Sequence, residues 1–262
     1  MSARFGASIL ILAPHPDDEV VGCCAAIVRA RAAGARVHVL FLTHGCLARG
    51  TLWPWQRANY DARLARRRLE AEAVARLLEV SIIGGSNRAA RDLWPRLTDA
   101  EAEVRQAIAA TGADQIWAPA YEGGNPDHDG ANALAARLAS EGFDVLEFAE
   151  YNFAGGRARS QDFPKPTGAE MTIALSADEQ TLKRQALDLY RSERGNLFYV
   201  RCEAERLRPL AAYDYGRPPH EGLLWYERFR WIPFRHPRVD FTPVETISDA
   251  LEHFVAAPPR DP

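Results

Sequence analysis

The run Pro14-His15-Pro16-Asp17-Asp18-Glu19 sets one imidazole and three carboxylates on neighbouring positions. Adjacent carboxylates repel one another, and on a tight turn that repulsion destabilises the fold unless a cation offsets it. A divalent metal ion is the simplest such cation. A second cluster, Asn125-Pro126-Asp127-His128-Asp129, brings another imidazole from far along the chain. His15, Asp18 and His128 make a donor set that suits catalytic zinc better than magnesium or calcium, since three protein ligands leave a fourth position for water. Zinc acidifies that water towards neutrality, and a carboxylate that is not a ligand takes its proton. Asp17 is the natural base, because neighbours on a turn point in different directions and Asp18 is assigned to the metal. Glu19 is expected to favour the helix N-terminus or to support a ligand from behind.

The elements around these residues explain how they meet. Residues 8–13 form an apolar run of strand length, and residues 20–28 open a small-residue, helix-compatible segment, so the first cluster sits on a strand-to-helix turn. Further strands are expected at 36–42, 80–83, 115–118 and 145–149, and helices at about 58–79, 98–110 and 129–140. Thr98 followed by Glu101 has capping-box spacing. In the helix at 58–79, Leu64, Leu69, Ala73, Leu77 and Leu78 lie near one stripe, and the arginines at 66–68 read as its exposed face. Alternating strands and helices predict an α/β, Rossmann-like three-layer fold with a mostly parallel sheet in the order 3-2-1-4-5. That order puts the first and fourth strands side by side at the switch point where ligands bind, so His128 should emerge beside His15 and Asp18.

Beyond about residue 151 the pattern changes. One more strand is expected at 171–175, then a helix capped by Ser176 and Glu179 and reaching about residue 191. An aromatic-rich tail follows, with Tyr199, Tyr213, Tyr215, Trp225, Tyr226, Phe229, Trp231 and Phe234 among arginines and prolines. Such a tail packs over a core edge or walls a sugar site.

Over the 262 residues, 47% hydrophobic and 26% charged content is ordinary for a globular protein. The formal charge of -3 gives no electrostatic case for nucleic acid as a partner. Cys23, Cys24, Cys46 and Cys202 lack CxxC spacing and read as buried free thiols in a reducing compartment. No run approaches the ~18 apolar residues that cross a bilayer, and the six-residue apolar run near the N-terminus is too short for a signal segment. A cytoplasmic location is therefore expected. Gly84-Gly85 and Gly123-Gly124 lack the spacing of nucleotide-binding loops.

At these residues the chain resembles the PIG-L/LmbE-like family of zinc-dependent N-deacetylases, which act on N-acetylglucosamine units. The family signature Ala-His-Pro-Asp-Asp-Glu stands here as Pro14-His15-Pro16-Asp17-Asp18-Glu19. Thr43-His44-Gly45 looks like the family's Thr-x-Gly, and residues 67–78 look like its basic-acidic helix, with Glu79 where glycine is usual. Lys183, Ala186-Leu187, Tyr190 and Ser192-Glu193 resemble a later motif, with Glu in place of Gln. The likeness runs from about residue 8 to 193. It implies His15, Asp18 and His128 as zinc ligands and Asp17 as base.

One departure bears on mechanism. The family's His-Pro-Asp-His reads Asn125-Pro126-Asp127-His128, and the replaced histidine is the one held by the intervening aspartate, Asp127, to stabilise the oxyanion or protonate the leaving amine. Asn125 can donate a hydrogen bond to an oxyanion but cannot deliver a proton. By residue type, His44, His220, His236 and Tyr121 are candidates to supply what it lacks. The resemblance thus implies a zinc hydrolase that removes the N-acetyl group from an N-acetylglucosamine-type sugar on a larger glycoside, glycan or glycolipid. The alternative is a catalytically weak zinc-binding homologue that serves as a carbohydrate-binding or partner protein. The expected organisation is a deacetylase core over 1–193 and a C-terminal extension over 194–262 packed on it. The expected partner is an N-acetylated sugar, with no transmembrane segment and with room for a homo-oligomer.

Overall fold

The structure is a computed structural model that describes residues 5–258 apart from Arg235 and Arg238. In chain order its elements are β1 (Ser8–Ala13), α1 (Asp18–Ala32), β2 (Arg36–Phe41), α2 (Pro54–Arg57), α3 (Tyr60–Leu78), β3 (Ser81–Ile82), α4 (Leu97–Thr111) and β4 (Gln115–Pro119). They continue with α5 (Pro126–Ser140), β5 (Asp144–Phe148), β6 (Tyr151–Asn152), β7 (Arg159–Ser160), β8 (Met171–Ala174), α6 (Ala177–Leu189), β9 (Ala204–Pro209) and α7 (Val244–Ala256). Among the described residues, seven strands form one sheet in the order β3-β2-β1-β4-β5-β9-β8. The first five are parallel, as the order 3-2-1-4-5 requires, while β9 runs antiparallel to both β5 and β8. The short β6 and β7 pair separately.

Both faces of the sheet are covered. Alternate residues of β1 divide between them: Leu10 and Leu12 pack with Val104, Leu134 and Leu251 from α4, α5 and α7. Ile9 and Ile11 pack with Ile27, Val74 and Ala186 from α1, α3 and α6. This two-sided burial is why β1 reads as an unbroken apolar run. Ile9 and Ile11 of β1 lie opposite Gln115 and Trp117 of β4, so the two strands deliver their carboxyl ends, and the motifs that follow them, to one place.

Three sequence-based expectations need correction. First, α5 starts at Pro126 rather than 129, with Asn125 as N-cap and proline in the first turn, a favoured helix opening that Asp129 had obscured. Second, Leu69 is 62% exposed, whereas Arg67, Glu70, Ala71, Val74 and Leu78 form the buried face of α3. The charges on that face are paired inside the protein: Glu70 accepts from the Ser192 backbone N–H at 3.1 Å and the Ser192 hydroxyl at 2.5 Å. Arg67 is thus buried, while Arg66 and Arg68 are the exposed face expected of the run. Third, β9 lies inside the sheet and had no counterpart among the expected elements.

Helix α1 is broken near its start, where Cys23 takes φ −146° and ψ 28°. A buried ion pair satisfies the groups that the break frees. Lys183 Nζ donates to the Val21 carbonyl at 2.9 Å and to Glu205 Oε1 at 2.7 Å, and Glu205 in turn accepts from the backbone N–H groups of Ala25 and Ala26. Gly22 is required at the same point, because a Cβ there would sit 2.1 Å from the Phe148 ring. The turn that carries Asp18 and Glu19 is therefore set independently of the rest of the helix.

Candidate metal centre and active site

His15 leaves the end of β1, Asp18 opens α1 and His128 lies in the first turn of α5. All three are buried. His15 Nδ1 is 3.2 Å from Asp18 Oδ2 and 3.3 Å from His128 Nε2, and His128 Nε2 is 3.4 Å from Asp18 Oδ1. Metal–ligand bonds of about 2.0–2.1 Å in a tetrahedron give edges of about 3.3–3.4 Å, which the His15–His128 separation matches, while the two Asp18 oxygens each face one of the imidazole nitrogens. Among the described residues this trio is the group able to hold a metal ion. The electrostatics agree. Burial works against charge on His15, yet Asp18 and Asp127 outweigh it and raise its pKa to about 10. Burial likewise opposes charge on Asp18, but His128 and His15 hold its carboxyl well below the usual range. The pocket is thus built to contain positive charge, whether borne by a proton or by a metal ion.

Carboxylates stand behind both imidazoles. Asp127 accepts from His15 Nε2 at 3.0 Å, and its own position is fixed by the backbone N–H groups of Arg91 and Leu93. With the proton on Nε2, Nδ1 presents its lone pair towards Asp18 and His128. Asp127 therefore meets the imidazole of a candidate metal ligand, His15, where the resemblance had it holding the histidine that Asn125 replaces. Glu150, just beyond β5, is fully buried with Oε2 3.7 Å from His128 Nδ1. Burial pushes its carboxyl well up, as does the nearby Asp18. Sequence reasoning missed Glu150, a single acid after an apolar strand. The signal available was its place at the carboxyl end of β5, next to β4 at the ligand-binding edge.

Asp17 faces the same cavity with φ 138°, a conformation that L-residues avoid, and a strained residue at a site of chemistry must be held there by its surroundings. Its backbone N–H donates to Glu19 Oε2 at 3.1 Å, while Glu19 Oε1 accepts from the Tyr190 hydroxyl. Glu19 thus braces the turn, and burial raises its pKa to about 7. Arg67 lies 3.6 Å from Asp17 Oδ2, donates to the Pro16 carbonyl and pairs with Glu193 at 3.5 Å. Burial lifts the Asp17 pKa well above the usual carboxylate range, and Arg67 opposes that rise. Arg67 is the second residue missed from sequence, hidden inside a run of three arginines.

Asn125 lines the cavity, and its Oδ1 accepts from the Asp127 N–H at 2.9 Å as the cap of α5. Capping occupies the acceptor and leaves the Nδ2 donors for a ligand. Of the four replacement candidates, Tyr121 donates to the Arg217 carbonyl, His220 bonds the Glu221 carbonyl, His44 accepts from the Cys46 N–H, and His236 meets Trp53 edge to face. None of the four is among the described residues lining the cavity.

The cavity is about 470 Å³, and the aromatic tail walls it with Tyr199, Trp225, Tyr226 and Phe229. Other tail residues pack instead, Tyr213 and Tyr215 against Tyr121, while Trp231 and Phe234 are exposed. Both readings of the tail therefore hold, for different residues. The four cysteines are free thiols, three of them buried.

Residues 10–139 match the family described as PIG-L, GlcNAc-PI de-N-acetylase. Over these residues the chain belongs to the PIG-L family. Solved structures share the PIG-L fold. A deacetylase from the biosynthesis pathway of teicoplanin superposes with a TM-score of 0.61 at 19% identity, covering 79% of this chain and 99% of that one. The deacetylase of the A40926 pseudoaglycone gives 0.59 at 21% identity, covering 79% and 99%. The N,N'-diacetylchitobiose deacetylase of Pyrococcus horikoshii gives 0.55 at 20% identity, covering 81% and 84%. No curated protein matches this PIG-L chain in sequence. No helix among its described residues is long and apolar enough to cross a membrane.

Proposed function

We propose that the protein is a zinc-dependent hydrolase that removes the N-acetyl group from an N-acetylglucosamine-type sugar carried on a larger glycoside, glycan or glycolipid. The observation that carries this reading is the convergence of His15 Nδ1, the Asp18 carboxylate and His128 Nε2 within 3.2–3.4 Å of one another, with Asp17 beside them on the cavity. The PIG-L match and the named deacetylases of similar fold support the same class of reaction. Bound there, zinc would polarise the acyl carbonyl and bring a water near neutral acidity.

The chain's own residues do the rest. Asp17, lifted in pKa yet held by Arg67, takes the proton of the water that attacks the acyl carbon. It then returns that proton to the departing amine, which needs one and which Asn125 cannot protonate. Asn125 Nδ2 donates to the acyl oxygen as negative charge develops on it. Asp127 and Glu150 keep the two imidazoles turned towards Asp18. The C-terminal extension belongs to the same working unit, since its Tyr199, Trp225, Tyr226 and Phe229 supply one wall of the cavity.

Zinc-loaded protein incubated with chitobiose-like, simple glycoside and glycolipid N-acetyl substrates should release primary amine from at least one. Binding of such sugars without amine release would favour the alternative, a carbohydrate-binding homologue. The replacement of the family histidine by Asn125, with none of the four substitutes on the cavity wall, is what keeps that reading in play.

A further inference from the structure

We propose that Tyr151 is a catalytic residue: its hydroxyl donates a hydrogen bond to the acyl oxygen of the substrate, from the same wall of the cavity as Asn125. The inference rests on the deacetylase reading above. The chain has eight tyrosines. Five of their hydroxyls meet a partner inside the protein: Tyr60 at His44, Tyr121 at the Arg217 carbonyl, Tyr190 at Glu19, Tyr213 at Glu147 and Tyr215 at Asn132. Among the described residues the hydroxyls of Tyr151, Tyr199 and Tyr226 have none, and these three line the cavity. A buried phenol ordinarily finds a partner, so one left without on a cavity wall is placed for a ligand.

Of the three, Tyr151 is the one that meets a candidate metal ligand. Its ring stands edge to face on His128, with centroids 5.4 Å apart and planes at 70°. Tyr199 lies one ring further out, against Tyr151 and Trp225, and Tyr226 packs in the core cluster with Tyr121. The chain holds Tyr151 before any ligand arrives. Its backbone N–H donates to Glu122 Oε1 at 3.0 Å, and β6 pairs it with Ser160 of β7. Tyr199 and Trp225 press on its ring at 4.7 and 5.1 Å. Gly124 closes on it as well, since a Cβ there would sit 2.4 Å from the Tyr151 carbonyl oxygen and 3.0 Å from its ring. Asn125 follows Gly124, so the two donors come to the cavity side by side.

The chemistry of the site says which substrate atom the hydroxyl meets. A phenol is protonated at neutral pH, and burial, with Asp18, Glu150 and Asp17 in reach, pushes the Tyr151 hydroxyl further up. It is therefore a donor throughout, and no proton changes hands in this role. The nearby acceptors are engaged elsewhere, Asp18 with the two imidazoles and Asp17 with Arg67. An acyl oxygen polarised at the metal position lies next to His128, within the reach of a group packed on that ring. As water adds to the acyl carbon, negative charge grows on this oxygen, and a donor already fixed and desolvated gains strength without reorganising.

The test compares zinc-loaded Tyr151→Phe with the parent on whichever of the chitobiose-like, glycoside and glycolipid substrates the parent cleaves. The change removes one oxygen and keeps the ring contacts, so the circular dichroism spectrum and the zinc affinity, by chelator competition, should be unaltered. Amine release should fall about 10- to 1000-fold in kcat, the range for losing one oxyanion donor, with KM little changed. The N-methylphosphonamidate of glucosamine, which carries the tetrahedral charge, should bind Tyr151→Phe more weakly by a similar factor in calorimetry. Methyl N-acetylglucosaminide should bind Asp17→Asn protein equally with and without Tyr151→Phe. Undiminished kcat, a loss confined to KM, or unweakened binding of the phosphonamidate overturns the donor role. Loss of zinc from Tyr151→Phe overturns it too, in favour of a support for His128. Amine release by the parent is the separate check on the deacetylase reading: without it both fall, whereas release that Tyr151→Phe retains in full removes the donor alone.

Discussion

Asp127 and Glu150 stand behind the two imidazoles at different ranges: Oδ2 of Asp127 accepts from His15 Nε2 at 3.0 Å, while Oε2 of Glu150 is 3.7 Å from His128 Nδ1, an ion-pair approach without a hydrogen bond. Each imidazole therefore has one nitrogen turned to a carboxylate and the other to the candidate metal position. Such partners fix tautomer and ring orientation, and their loss weakens metal affinity by about 10- to 100-fold. Glu150→Gln should fall in that range, measured by competition with a chromophoric chelator, with the circular dichroism spectrum unchanged. Unaltered zinc affinity would mean that Glu150 does not orient His128.

The division between ligands and base separates three substitutions. His15→Ala and His128→Ala should lose the metal, with about one zinc per chain in the parent protein. Asp17→Asn should retain it and lose roughly 100-fold or more in turnover, as expected for a general base. Full zinc retention in both histidine variants would refute the assigned site, and undiminished turnover in Asp17→Asn would refute the assigned base.

Asn125 caps α5, and the further role proposed for it as a donor to the acyl oxygen is one that substitution can pull apart from capping. Asn125→Ala should cost about 1 kcal/mol of stability through loss of the α5 cap, and lower turnover about 10- to 1000-fold with zinc retained. Asn125→Asp keeps a capping acceptor but has no Nδ2 donor, so stability should recover while turnover stays low. If Asn125→Asp restored turnover to the parent level, the donor role would be untenable.

Acidity enters the fold through Glu122. Burial raises its pKa from 4.5 to about 8, against the opposing pull of donors from Glu150, Tyr151 and Asn152. The folded state thus keeps a proton that the unfolded chain releases above its ordinary pKa. The contribution of Glu122 to stability is fully present below about pH 4.5, declines as pH rises towards about 8, and levels off beyond. Asp129, raised to about 7 by burial, adds to the same decline. Glu122→Gln should flatten part of the slope in a plot of melting temperature against pH. An unchanged slope would show that Glu122 is ionised in the folded protein.

Much of this was legible because the parallel strands are apolar on both faces and the two motifs follow the strands that the switch-point rule sets side by side. Most of what stayed hidden shares one cause: charge that is buried by pairing. Strand β9 reads Ala204-Glu205-Arg206-Leu207-Arg208-Pro209, too polar for a central strand, yet Glu205 is buried against Lys183 and Arg208 against Glu147 at 2.6 Å. Arg67 on α3 was masked in the same way, whereas Glu150 after β5 is a single acid whose carboxyl is pushed up by burial. Hydrophobic periodicity reports solvent avoidance, and it is silent where a buried charge has found its opposite.

The placing of β9 between β5 and β8 has a consequence for the order in which the chain can be completed. β8 precedes β9 by some thirty positions, yet among the described residues β9 is the strand it pairs with. During synthesis β8 must therefore wait without a neighbour, and the edge of β5 stays open, until residues 204–209 have left the ribosome. The Lys183–Glu205 pair that secures the break in α1 closes at the same moment. A nascent chain halted shortly before β9 would present an unpaired strand edge and a buried lysine without its partner, the state most exposed to edge-to-edge aggregation.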